Sequence, residues 1–303
     1  MTENRSDVGS YQGAIIAAPR HKYERDENRQ RADFMNDTST STTSANGIDI
    51  AYRFDGPDDA PLLMLSNSLS SAYRMWDAQV EALVPTYRLL RYDTRGHGET
   101  SAPPGPYTMD MLTADVIGLL DALDIERCAY CGISMGGMIG QQLGIEHADR
   151  FTGLVLANTT SRWPDGAGVL WSGRIRAAQQ QGVAALAETT LERWFTEPFL
   201  ERRSPEVGKI ARYIRNTPTV GFIGCAEAIR DIDYRDQLSQ ISLPVLVIAG
   251  ADAPSTPVSA AEDIHQAIAG SRLVVIENAA HLANVEQPAA FNQALLDFLG
   301  GLS

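Results

Sequence analysis

The stretch that most constrains this chain is Cys131-Gly132-Ile133-Ser134-Met135-Gly136-Gly137. An apolar run ends at Ile133 and a helix-like run begins at Met135, with Gly132 and Gly136 two residues either side of Ser134. A strand that turns straight into a helix folds its backbone back on itself. Only residues without a Cβ fit two places either side of the apex. The apex serine is lifted above the sheet, beside a helix N-terminus whose N–H groups can hold an oxyanion. The spacing predicts a strained, nucleophilic Ser134.

Such a turn needs a sheet to carry it. Residues 62–65, 87–92, 128–133, 151–157, 245–250 and 272–276 are near-continuous apolar runs separated by helix-length segments. That pattern predicts an α/β fold with a mostly parallel central sheet covered on both faces. Residues 48–54 alternate and read as one further strand. Residues 109–123 place Leu112, Val116, Leu119, Leu120 and Leu123 on one helical face. Residues 161–238 lose the strand signal and hold Trp163, Trp171 and Trp194 among helix-forming stretches. They predict a helical cap inserted after the sixth-strand region, so that 47–160 and 239–303 form the core. Most cap tryptophans read as packing, with Trp163 and Trp194 candidates to wall a pocket.

Residues 1–46 are polar and end in a Ser/Thr run that reads as exposed coil. Two readings stand: a polar leader, or an arm that packs on a neighbouring subunit of a homo-oligomer. The net charge of −13 argues against nucleic acid and anionic membrane surfaces as partners. It leaves room for a small-molecule substrate, even an anionic one, because one pocket arginine outweighs the mean field. Cys128 and Cys131 are three apart on a strand and point to opposite faces, so they read as buried small residues and not as a pair. No basic start followed by an apolar core opens the chain, and the reading is a cytoplasmic protein. No set of His, Cys and carboxylates has metal-ligand spacing, and no cofactor motif is present.

From residue 47 onward the chain resembles the α/β-hydrolase superfamily, and within it the 3-oxoadipate enol-lactonase family of bacterial aromatic catabolism. The segments that carry the resemblance are Asn67-Ser68-Leu69 before Arg74-Met75-Trp76, and Tyr92-Asp93-Thr94-Arg95-Gly96-His97-Gly98. With them go the Ser134 turn, Leu191-Glu192-Arg193-Trp194-Phe195-Thr196 and His281-Leu282-Ala283-Asn284-Val285-Glu286-Gln287-Pro288. The resemblance implies Ser134 as nucleophile and His281 as general base. It implies oxyanion donors at the backbone N–H of Met135 and of Leu69 or Ser68. A pocket cation would be Arg74 or Arg193, with Arg95 third, beside Trp76, Trp163 and Trp194.

The acid departs from the family pattern. Where family members carry Asp, Gly250-Ala251-Asp252-Ala253 puts Ala253, with Asp252 one residue early. Near a strand end a one-residue slip reverses side-chain direction. Three readings stay open: the acid is absent, the loop shifts so that Asp252 serves, or a carboxylate elsewhere such as Glu277 substitutes. Asn158, at the end of another strand, could orient the histidine only weakly. The expected function is a serine hydrolase of a small lactone or ester. The alternative is an impaired or repurposed hydrolase fold that binds a ligand or acts as a cyclase or lyase.

Overall fold

The computed structural model describes residues 40–164 and 166–302. Its strands are β1 (Ser41–Ala45), β2 (Ile48–Asp55), β3 (Leu62–Ser66), β4 (Arg88–Tyr92), β5 (Cys128–Ile133), β6 (Phe151–Ala157), β7 (Val245–Gly250) and β8 (Arg272–Ile276). They form one sheet in the order β1-β2-β4-β3-β5-β6-β7-β8. β3 to β8 pair in parallel, while β1 and β2 are antiparallel to their neighbours. The fold class is therefore α/β with a mostly parallel sheet. β5 is buried along its whole length because parallel neighbours and helices cover both its edges and both its faces.

The covering helices are α1 (Asp77–Leu83), α2 (Met109–Ala122), α3 (Met135–Glu146) and, after β7, α9 (Val258–Ala267), α10 (Ala283–Glu286) and α11 (Pro288–Leu299). α2 packs on α3, which lies on β5 and β6, while α11 packs on α1. α2 begins where the Thr108 side chain accepts the Met111 N–H at 3.2 Å. Its Leu112, Val116, Leu119 and Leu120 are buried, the face that the 3.6-residue period predicts.

Between β6 and β7 lie α4 (Ala167–Gln181), α5 (Ala187–Trp194), α6 (Glu197–Glu201), α7 (Pro205–Asn216) and α8 (Thr219–Arg230). α7 buries Val207, Ile210, Ala211 and Ile214, an i, i+3, i+4, i+7 stripe. These helices fall inside residues 161–238, where the sequence loses its strand signal.

The Ser/Thr run differs from expectation. Its end is not coil but β1, which pairs with β2 from Ser41↔Tyr52 to Ala45↔Ile48. The two residues between the strands, Asn46 (φ 47°) and Gly47 (φ 75°), both sit in the left-handed region, the geometry of a two-residue hairpin turn. Asn46-Gly47 is the local signal for it. Residues 1–39, where the rest of the leader or oligomer arm was expected, lie outside the described residues. Among the described residues no helix is long and apolar enough to cross a membrane.

Candidate active site

The parallel strands aim their carboxyl ends at one edge, and the loops that leave them converge there. Ser134 follows β5 and caps α3 with φ 56° and ψ −113°, a conformation that strains any residue with a side chain. Its surroundings hold it there. The Ser134 N–H donates to Ala157 O at 2.9 Å, and Thr159 Oγ1 donates to Ser134 O at 2.8 Å. A Cβ on Gly132 would stand 2.1 Å from Gly136 O, and one on Gly136 would stand 2.5 Å from Ser66 O. Both glycines are therefore needed by close approach, as the sequence spacing implies.

The loop after β3 supplies Ser68 and Leu69 to the same edge. Gly136 N donates to Asn67 O at 3.0 Å and joins this loop to the start of α3. Trp76 Nε1 donates to Asn67 Oδ1 at 3.1 Å, and His97 Nε2 accepts from Ser70 N at 2.8 Å. The other His97 nitrogen meets Arg95 O at 3.1 Å, so His97 ties the loop after β4 to the loop after β3. Burial lowers its pKa to about 4, which keeps the ring neutral and able to accept. Neither the Met135 nor the Leu69 N–H has a protein acceptor among the described residues.

His281 follows β8 and is buried. Its Nδ1 lies 3.0 Å from Thr256 Oγ1. Around it, Ala280 N donates to the Glu286 carboxylate at 2.8 Å, Asn158 Nδ2 donates to Ala280 O at 3.2 Å, and Leu282 N donates to Trp194 O at 3.1 Å. Glu286 also accepts from the Thr196 N–H at 3.1 Å and from the Thr196 hydroxyl. One buried carboxylate thus pins the histidine turn to the inserted helices. The Trp194 ring stands 6.0 Å from the His281 ring.

A cavity of about 450 Å³ opens between these loops and the inserted helices. Ser134, His281, Ser68, Leu69 and Thr256 line it from the sheet side. Trp163, Trp171, Trp194, Arg174 and Arg193 line it from the insertion. Arg174 lies over the Trp171 ring at 4.6 Å, and Arg193 reaches only Thr190 Oγ1, at 3.4 Å. Neither guanidinium has a carboxylate partner among the described residues, and the Nε of each is buried without an acceptor. Burial lowers both pKa values, that of Arg174 to about 9, helped by the charge of Arg193. His281 is lowered to about 3, first by burial and then by Arg193 and Arg174.

Several expected residues lie elsewhere. Asp252 is exposed, and the hydrogen-bond partner at His281 Nδ1 is Thr256. The shift of the loop that would bring Asp252 inward is not seen, because its N–H is already bonded to Ala279 O at 2.9 Å. Glu277 is exposed as well, and Ala253 is buried. Trp76 is core, fully buried behind the Asn67 loop. Arg95 is paired bidentately with buried Asp115, at 2.8 and 2.6 Å. Arg74 sits over the Tyr73 ring and does not line the cavity. Of the expected pocket residues, Arg193, Trp163 and Trp194 do line it. Sequence reasoning missed Arg174 and Thr256.

Residues 61–288 match the family model described as the alpha/beta hydrolase fold. The chain is 41% identical to 3-oxoadipate enol-lactonase 2 of Acinetobacter baylyi, over 84% of this chain and 94% of that protein. Among solved structures, a hydrolase from Pseudomonas aeruginosa superposes with a TM-score of 0.84 at 44% identity, covering 88% of this chain and 100% of the other. The enol-lactonase from Burkholderia xenovorans gives 0.83 at 40% identity, covering 86% and 100%. With the sheet order, the strained serine turn and the converging loops, these likenesses show that the chain belongs to the α/β-hydrolase fold family.

Proposed function

We propose that the chain is a serine hydrolase of a small lactone or ester that carries a carboxylate, most like an enol-lactone. The observation that carries this reading is one cavity holding Ser134, His281 and two guanidiniums whose buried Nε atoms have no acceptor among the described residues. A buried cation without a partner is costly, and an anionic ligand would relieve it. The relatives named for enol-lactone hydrolysis support the reaction class.

In this mechanism Ser134 Oγ attacks the acyl carbon while its proton passes to His281 Nε2. The carbonyl oxygen becomes an oxyanion, held by the N–H groups of Met135 and Leu69, with Ser68 beside them. The tetrahedral centre collapses, the acyl–oxygen bond breaks, and an enolate leaves and takes the proton from Nε2. His281 then removes a proton from water, which attacks the acyl-Ser134 ester; the acyl–Oγ bond breaks, Ser134 Oγ takes the proton back from Nε2, and the acid is released. The inserted helices act as the cap, with Trp163, Trp171 and Trp194 walling the apolar part and Arg174 and Arg193 taking the carboxylate. Three free, buried cysteines fit a reducing cytoplasm. The enol-lactonase likeness supports a role in aromatic catabolism.

The second reading is a hydrolase fold that binds its ligand without turning it over. The neutral Thr256 at His281 Nδ1, where a carboxylate would stabilise the imidazolium, favours it. A fluorophosphonate separates the two. The hydrolase reading expects one covalent adduct on the peptide holding Ser134, formed within minutes. A chain that stays unlabelled would sink it.

A further inference from the structure

His281 has few neighbours that welcome the charge it must take. At Nδ1 it meets the Thr256 hydroxyl, a dipole and not an anion, 3.0 Å away. Ala253, three residues earlier on the same loop, is buried and offers only a methyl group. On the cap side, Arg162, Arg174 and Arg193 line the cavity, and of these Arg174 and Arg193 act on His281. Both cations push its protonation down, in addition to burial. Glu286 accepts from Ala280 N and Thr196, and Asp263 is an exposed residue of the cavity wall.

Thr256 can hold the ring without supplying charge. With Nδ1–H donated to Oγ1, Nε2 is left as the acceptor that Ser134 needs. The charge must come from elsewhere.

We propose that the substrate's own carboxylate supplies it: seated against Arg174 and Arg193, it offsets part of the positive charge that opposes an imidazolium at His281, so that anionic substrates are selected in the chemical step as well as in binding. The inference rests on the serine mechanism and carboxylate contact proposed above. It adds no covalent step. The proton still moves from Ser134 Oγ to Nε2 as the Oγ–acyl bond forms. The bound anion changes only the cost of the cation that results. A unit charge about 6 Å away, at an effective dielectric near 20, changes that cost by on the order of 10- to 100-fold in rate.

The test uses two phenyl esters of one six-carbon diacid, the second acyl end being a free carboxylate in one and a carboxamide in the other. The leaving group is the same, and the carboxylate stays on the acyl-enzyme, so it acts in both steps. With the full chain, kcat for the carboxylate ester should exceed that for the amide by about 10-fold or more, beyond any difference in KM. In R174M/R193M the amide's kcat should rise several-fold, because the opposing cations are gone, and the carboxylate ester, no longer seated near His281 by the guanidiniums, should lose its kcat advantage over the amide. Equal wild-type kcat values, with discrimination only in KM, would overturn the proposal. So would a kcat ratio that survives in a folded double variant. If that variant does not fold, the wild-type pair decides alone. Undiminished turnover of both esters by S134A would instead remove the serine mechanism underneath.

Discussion

At the scale of single residues, the chemistry turns on which protonation state each group is held in. In the proposed mechanism His281 works as a base in its neutral form, and its pKa is depressed to about 3 by burial and by Arg193 and Arg174. A depressed pKa leaves the neutral form populated as pH falls. The free enzyme's kcat/KM for a neutral ester should therefore stay nearly flat from pH 8 to about pH 4.5. A histidine at its ordinary 6.5 would by then have cost about 100-fold. A titration near 6.5 in that profile would contradict the environment described for His281. Ala253→Asp places a carboxylate on the same loop, so it should move the acid limb upward and raise kcat, by as much as about 10⁴-fold if the new group reaches Nδ1. Thr256→Val should lower kcat with little change in KM, while Thr256→Ser should keep it. Arg174 shows why part of this was hidden in the sequence. An arginine on a long inserted helix carries no local mark of facing a cavity; only the packing of that helix over the strand ends brings it there. Thr256 is equally silent, because its role comes from a histidine 25 residues away in the chain.

At the scale of elements, the serine turn was legible because its constraint is local. Two backbone segments must touch, and glycine is what lets them. Gly132→Ala should not give a soluble, active protein, since its Cβ would overlap the Gly136 carbonyl; normal expression and turnover would show that the turn tolerates a side chain. The Glu286 latch is a different kind of element contact. It joins the histidine turn to the inserted helices through Ala280 N and Thr196. Glu286→Ala leaves the buried Ala280 N–H without an acceptor, at about 1–3 kcal/mol, and removes the partner of the half-buried Thr196. Urea denaturation should show that loss, together with a lower kcat. An unchanged midpoint would mean the latch is not holding. β1 was not legible from hydrophobic pattern because its Ser/Thr sequence has none; the hairpin turn at Asn46-Gly47 and the exposed edge of β2 decide it.

At the scale of the whole molecule, the parallel sheet could be read from its apolar strands, whereas the cavity could not. Each strand is marked by an apolar run local in sequence, whereas the cavity depends on loops from β3, β5, β7 and β8 meeting the insertion. Burying neutral histidines also shapes global stability. His97 has a folded pKa near 4, below its ordinary value. Between pH 6.5 and about 4 the unfolded chain binds a proton there that the folded chain refuses, so stability falls as pH falls. Asp93, pushed up to about 7 by burial, works in the opposite direction, so the clean readout is a difference. The gap in stability between wild type and His97→Gln should change by about 1.4 kcal/mol per pH unit across that window. Parallel curves would contradict it. The central claim is that Ser134 carries an acyl group during turnover. The most direct measurement is mass spectrometry of the enzyme quenched in acid during hydrolysis of the carboxylate-bearing phenyl ester. The acyl mass should appear on the peptide containing Ser134, with S134A showing neither adduct nor turnover; hydrolysis by S134A at the wild-type rate would rule out the acyl-serine route.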